Sequence, residues 1–106
     1  MDFSQLINHR YSVRKYKDQG VENDKLLQVL EAARLAPTAV NFQPFILQVF
    51  QEKEKRERLI ETYPRDWIKS ASVIILACAD HSQSWKRSMD GKDSADIDVA
   101  IAVDHM

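Results

Sequence analysis

The chain has 106 residues, 44% of them apolar and 29% charged, so its size and composition are those of one ordinary globular domain over residues 1–106. Its 15 basic and 16 acidic residues leave a formal charge of -1, which offers no overall basic field to attract nucleic acid or an anionic membrane. The absence of a long apolar run, of a basic signal-peptide start and of a second cysteine leads us to expect a cytoplasmic protein.

The N-terminal residues predict a short helix followed by an extended basic segment. Asp2 can accept hydrogen bonds from the first free amides of a helix. Apolar residues recur behind it at helical spacing: Phe3, Leu6 and Ile7. This periodicity ends near His9, and residues 10–16 alternate without it.

A second helix is expected after the turn at residues 18–20, with Asn23 or Asp24 as its cap. Its apolar face would consist of four residues: Leu26, Leu27, Leu30 and Ala33. Pro37 stops this helix, because proline cannot donate to the helical ladder and disfavours helical geometry in the residue before it. Residues 37–44 are therefore predicted to form a loop.

Two strands separated by a helix are predicted next. Residues 45–50 form a strand with odd-numbered side chains on one face, and 51–63 return to helical composition. The alternating charges of 52–58 favour a solvated face over a binding patch. Residues 73–79 are apolar on both faces, which is typical of a central strand covered by helices, and Cys78 is interpreted as core packing.

A polar stretch separates the second strand from a last helix. Residues 88–92 predict a mobile loop, and 93–96 open a helix whose acids favour its N-terminus. No stop signal precedes Met106, so we expect the chain to end inside an element. Only 2 glycines are present, which excludes Gly-rich nucleotide loops. The histidines are too scattered to predict a metal site: His9, His81 and His105.

A basic cluster follows the first helix. Arg10, Ser12 and Arg14 can project to one side of an extended segment. Guanidinium groups pair bidentately with phosphate oxygens, and a serine hydroxyl adds a neutral donor. Neighbouring basic residues add positive potential: His9, Lys15 and Lys17. This pattern alone fits either a phosphate site or a solvated basic turn.

The loop at 37–44 carries polar but nearly uncharged side chains. Thr38, Asn41 and Gln43 lie between two prolines. Carboxamides both donate and accept hydrogen bonds, so they can complement a neutral heteroaromatic edge such as that of an isoalloxazine ring. The same residues also fit a plain connection between a helix and a strand, capped by Asn41.

Together the two segments resemble the nitroreductase family of FMN proteins, which carries R-x-S-x-R-x-[FY] near the N-terminus and then A-P-[ST]-A-x-N-x-Q-P-[WF]. Residues 10–16 and 36–45 match in order, and the likeness continues through 67–73 and 96–102. The resemblance implies an α+β, nitroreductase-like fold. It has a central, mostly antiparallel sheet flanked by helices, here incomplete at the C-terminus and truncated within a core helix.

The resemblance also implies an FMN site shared between two subunits of a homodimer. Arg10, the Tyr11 backbone and Ser12 would hold the FMN phosphate and ribityl region. Arg14 would reach the pyrimidine edge, where a cation stabilises the charge of the reduced flavin. The loop of the partner subunit would complete the site. The implied cofactor-binding residues are Arg10, Tyr11, Ser12, Arg14, Pro37, Thr38, Ala39, Asn41 and Gln43.

The implied activity is that of an FMN-dependent NAD(P)H oxidoreductase. Hydride from NAD(P)H would reduce the flavin, and an electron-poor acceptor such as a nitroaromatic or a quinone would reoxidise it in a ping-pong mechanism. Family members continue beyond the last helix, so a truncated, catalytically silent flavin-binding or dimerisation fragment is the alternative. Binding of phosphate or nucleic acid by the basic cluster alone is disfavoured by the near-neutral charge.

Overall fold

The computed structural model describes residues 1–106, in which four α-helices and two strands follow the predicted order. In chain order the elements are α1 (Phe3–His9), α2 (Asn23–Arg34), β1 (Phe45–Phe50), α3 (Lys53–Ile60), β2 (Ile74–Ala79) and α4 (Ala95–His105). Short 3-10 turns lie at Ala39–Asn41 and Asp66–Ser70. None of the helices has the length and apolar character needed to cross a bilayer.

The N-cap predicted from the sequence is correct for α1 but not for α2. Asp2 caps α1 as predicted: its carboxylate accepts from the Gln5 amide at 2.9 Å, and the Gln5 side chain accepts from the Asp2 amide at 2.9 Å. The predicted cap of α2 is wrong. Glu22 holds that position without capping an amide, while Asn23 and Asp24 lie in the first helical turn, where an acid still favours the positive end of the helix.

The two strands form an antiparallel pair in which Phe45 faces Ala79 and Phe50 faces Ile74. β1 has the predicted bounds, and the preceding segment is a loop as predicted. The expectation of a central strand covered on both faces is wrong for β2 in this chain. β2 has one strand neighbour, and Leu76 on it is exposed, because α4 packs against the pair while no second layer of the chain covers the rest.

The core is a close contact between α2 and α4 built from small residues. Ala33 and Ala102 are fully buried, and Ala36 is nearly so. Because these side chains are single methyl groups, the two helix backbones can approach closely over β1. Of the predicted apolar face of α2, Leu26 and Ala33 are buried, whereas Leu27 is 62% exposed.

Several apolar surfaces of the chain face solvent. α1 buries none of its residues, and the predicted apolar stripe on it is exposed: Phe3, Leu6 and Ile7. The radius of gyration is 15.9 Å, above the roughly 13 Å of a compact chain of about 100 residues. Contiguous exposed apolar surface of this kind marks interaction sites.

Candidate functional site

The basic segment leaves its cations free of partners within the chain. Arg10 ends α1: its amide donates to the Leu6 carbonyl at 3.1 Å, and its backbone is already extended. Arg10, Ser12 and Arg14 are all exposed, and neither arginine takes part in an ion pair of the chain. Tyr16 anchors the far end of the segment, with its ring 6.2 Å from that of Trp67. The segment is thus held at both ends while its guanidinium groups stay available.

The loop before β1 has an unusual backbone. Val40, Asn41 and Gln43 all have positive φ, at 56°, 56° and 53°. Asparagine tolerates the left-handed region, whereas for a β-branched residue such as Val40 it is a genuine outlier. Strain of this kind persists only where the surroundings hold it, and it clusters at functional sites. The sequence contains no glycine here that would have indicated such a turn.

Two side chains hold this strained loop. The Thr38 hydroxyl accepts from the Gln43 amide at 3.0 Å, which closes the loop on itself. Asp98 in α4 accepts from the Ala39 amide at 3.0 Å through one carboxylate oxygen, and from the Ser94 hydroxyl at 2.8 Å through the other. Asp98 is only 2% exposed. The loop is therefore fixed both locally and from a helix distant in sequence.

Sequence reasoning missed the role of Asp98. It treated the acids at the start of α4 only as charges that favour a helix N-terminus. The available signal was an acid enclosed by apolar neighbours, Ile97 and Val99, because an acid in such a run needs a buried partner.

Each predicted segment borders a cavity only near one of its ends. Lys15 and Tyr16, at the end of the basic segment, line a cavity of about 610 Å³ together with Trp67, whereas Arg10, Ser12 and Arg14 do not line it. Gln43 lines another of about 290 Å³ beside Phe45 and Leu47. Of the remaining loop residues, Pro37 and Asn41 are exposed, whereas Thr38 and Ala39 are half-buried.

Ion pairs hold the polar segment between β2 and α4, residues 80–94, near its two ends and in its middle. At the base, His81 lies 2.9 Å through Nδ1 from Asp93 and 3.2 Å through Nε2 from Asp96. At the tip, Arg87 donates to both carboxylate oxygens of Asp90, at 2.9 and 2.5 Å. The mobility expected for residues 88–92 stays a prediction.

The His81 cluster depends on pH. Hydrogen bonding to Asp93 raises the pKa of His81, with Asp96 adding to the rise and Lys86 opposing it. The stabilisation is complete below the ordinary histidine value of 6.5 and is lost as the pH rises through the folded pKa. The same hydrogen bond lowers the pKa of Asp93, whose stabilisation is present above 3.8 and is lost as the pH falls through its folded pKa. The cluster is therefore strongest between 3.8 and 6.5.

The Nitroreductase family model matches residues 7–63, a stretch that includes the basic segment and the strained loop. The chain belongs to the nitroreductase family. It is 35% identical over 80 residues to an FMN reductase (NAD(P)H) of Bacillus subtilis, which covers 74% of the chain and 32% of that relative. This FMN reductase and other curated relatives are longer than the chain, which spans less than half their length.

Solved structures confirm the nitroreductase fold. A nitroreductase family protein of Clostridium difficile 630 superposes with a TM-score of 0.89 at 45% identity, over 99% of the chain and 59% of that protein. An FMN-dependent nitroreductase of Clostridium difficile R20291 superposes with a TM-score of 0.77 at 29% identity, over 94% of the chain and 55% of that protein. The four helices and the antiparallel strand pair are thus part of an α+β nitroreductase fold.

Proposed function

We propose that this nitroreductase-family chain forms part of a flavin-dependent NAD(P)H oxidoreductase and holds FMN with its basic segment and strained loop. The names of two similar proteins, an FMN reductase and an FMN-dependent nitroreductase, support the flavin and the reductant. The observation that carries the proposal is the pair of unpartnered guanidinium groups, Arg10 and Arg14, on either side of the exposed Ser12 hydroxyl.

The basic segment fits a phosphate group. Six exposed cations elsewhere in the chain pair with a carboxylate, as Arg34 does with Glu31 at 2.6 Å. Arg10 and Arg14 have no carboxylate partner, so both guanidinium charges are available to an anion. The Ser12 hydroxyl between them adds one neutral hydrogen-bond donor. We assign Arg10, the Tyr11 backbone and Ser12 to the phosphate and the ribityl chain of FMN, and Arg14 to the flavin pyrimidine edge.

The loop fits the neutral, hydrogen-bonding edge of a flavin. It presents the exposed carboxamides of Asn41 and Gln43 and carries no charged side chain. The Thr38 oxygen already accepts from a backbone amide, so its proton remains free to donate. Pro37 and Ala39 complete the loop surface. Fixed donors and acceptors orient a ring better than mobile ones, because less side-chain entropy is lost on binding.

FMN bound here would supply the redox chemistry, taking hydride from NAD(P)H and passing two electrons to an acceptor. The contribution of the protein is electrostatic. A guanidinium cannot lose its proton at working pH, so Arg14 would keep a full positive charge at the pyrimidine edge and favour the negative charge of the reduced ring. We infer electron-poor acceptors such as nitroaromatics or quinones and a ping-pong order of reaction.

We infer that the site is completed by a second copy of the chain. Within one chain the cavity beside Lys15 and Tyr16 is distinct from the one beside Gln43, and the exposed apolar stripe of α1 leads directly into the basic segment at Arg10. A homodimer that covers α1 would bring the loop of one subunit, residues 37–43, to the basic segment of the other. The apolar burial would stabilise the dimer, and the polar loop would face the flavin.

A second candidate function is flavin binding or dimerisation without turnover. Two observations favour it: the exposed apolar stripe of α1, which suits a dimer contact, and the unpartnered guanidinium groups of Arg10 and Arg14, which suit an anion. Neither of these features requires turnover. Only the enzyme predicts oxidation of NADH or NADPH when an acceptor is added, and a fragment that only dimerises would bind no FMN.

The test is a titration of the purified chain with FMN, followed by flavin fluorescence and the visible spectrum. Arg10→Ala should weaken binding about 10- to 100-fold, as expected for loss of a charge-assisted hydrogen bond. Arg14→Ala should slow flavin reduction by NADH more than it weakens binding. Arg58→Ala on the solvated face of α3 is the matched control and should change neither. A chain that gains no flavin absorbance would refute the proposal.

A further inference from the structure

We propose that Asp98 and Ser94 act as a clamp that holds the strained loop in its flavin-binding conformation, which makes both of them positioning residues. This inference rests on the proposed function. The clamp is the pair of hydrogen bonds at the Asp98 carboxylate, from the Ala39 amide at 3.0 Å and from the Ser94 hydroxyl at 2.8 Å. It joins the loop to α4 across 59 residues of sequence.

The hydrogen bonds within the loop join its residues to one another, as the Asn41 amide is joined to the Thr38 carbonyl at 3.0 Å, but they do not join the loop to a helix. Three of the four residues from 40 to 43 have positive φ, and each such residue costs conformational energy that the surroundings must offset. Thr38 ties the end of the loop at Gln43, and the buried ring of Pro44 anchors the chain just beyond. At its start, the hydrogen bond that the Ala39 amide donates to the Asp98 side chain joins the loop to α4. Without it the loop is free to relax from its N-terminal side.

Packing alone does not explain why position 98 carries a carboxylate. Asp98 lies in a helix whose neighbouring residues are apolar, and burying a carboxylate is costly unless it is hydrogen-bonded. An apolar side chain there would pack without that cost, but it would leave the Ala39 amide without its acceptor. The carboxylate satisfies two donors at once, and its place in the first turn of α4 further favours its charge.

The clamp acts on the flavin only through the loop. Asp98 is buried and Ser94 nearly so, whereas Asn41 and Gln43 present their carboxamides to solvent. Fixing the Ala39 amide toward α4 fixes the backbone that carries those two side chains. Loss of the clamp should therefore weaken FMN binding while β1 and β2 stay paired.

The experiment compares the whole chain with three variants: Asp98→Ala, which removes the acceptor oxygens, Ser94→Ala, and the control Asp104→Ala, an exposed acid of the same helix. Amide hydrogen exchange is measured at Ala39 in the loop and at Leu76 in β2, and FMN affinity is measured by fluorescence titration. For Asp98→Ala we expect exchange at Ala39 to rise about tenfold, the FMN dissociation constant to rise about tenfold, and Leu76 to be unchanged. Ser94→Ala should shift both quantities in the same direction but less.

Two results would overturn the clamp. One is protection at Ala39 that is as strong in Asp98→Ala as in the natural chain. The other is an equal loss of protection at Leu76, which would make Asp98 a residue of general stability. If the natural chain binds no FMN, the proposed function and the flavin role of the clamp both fail, while exchange at Ala39 still decides whether Asp98 holds the loop.

Discussion

Val40 offers a sharp test of whether the strained loop exists in solution. Its φ of 56° and ψ of 17° lie in the left-handed region, where the Cβ atom of any L-residue crowds the following carbonyl. Glycine has no Cβ atom and is free of that clash. Replacing Val40 by alanine or by glycine removes the same methyl groups, so that comparing the two variants isolates the Cβ atom.

The expected magnitude follows from two opposing terms. A left-handed Cβ-bearing residue costs roughly 1–2 kcal/mol. Glycine loses more chain entropy on folding than alanine, which costs roughly 0.5–1 kcal/mol. We therefore expect the Val40→Gly chain to be more stable than the Val40→Ala chain by about 0.75 kcal/mol, the difference between the midpoints of these ranges.

The assay is urea unfolding followed by circular dichroism, with the slope of the transition checked for constancy among variants. Val21 is the matched control, because it lies in a connection and has an ordinary negative φ. There the order should be reversed, with Val21→Ala more stable than Val21→Gly by about 0.4–1 kcal/mol. Alanine more stable than glycine at both positions would refute the left-handed assignment of Val40.

Three further predictions concern a cap, the core and a pH-sensitive contact. Asp2→Ala should destabilise α1 by about 1 kcal/mol, measured by amide exchange in its first turn, whereas Asp24→Ala, which removes no cap, should cost less. Ala102→Leu should overpack the contact with α2 and cost roughly 1–3 kcal/mol in urea unfolding; an unchanged midpoint would contradict the close helix approach. In the natural chain, the amides at the start of α4 should lose protection from hydrogen exchange as the pH rises above 6.5. This loss should be absent in His81→Gln and present in the control His105→Gln.

Sequence reasoning succeeded where a structure is decided by neighbouring residues. The cap of α1 by Asp2 and the bounds of β1 were predicted correctly, because a carboxylate three residues from an amide and an alternating apolar run act locally. The family followed from two short motifs for the same reason. The cap of α2 was predicted wrongly, since three polar residues compete at one helix start, and their order alone does not rank them.

Tertiary contacts decided the rest. The exposure of Leu27 depends on where α4 packs against α2. The exposure of Leu76 on β2 depends on the sheet, which has two strands in this structure. The Ala39 amide, next to the left-handed Val40, donates to Asp98, although 59 positions separate Ala39 and Asp98 in the sequence. The sequence by itself therefore determined which elements form and which family the chain belongs to. Only the folded chain determined the loop conformation, because the hydrogen bond that holds it joins residues whose proximity no local pattern encodes.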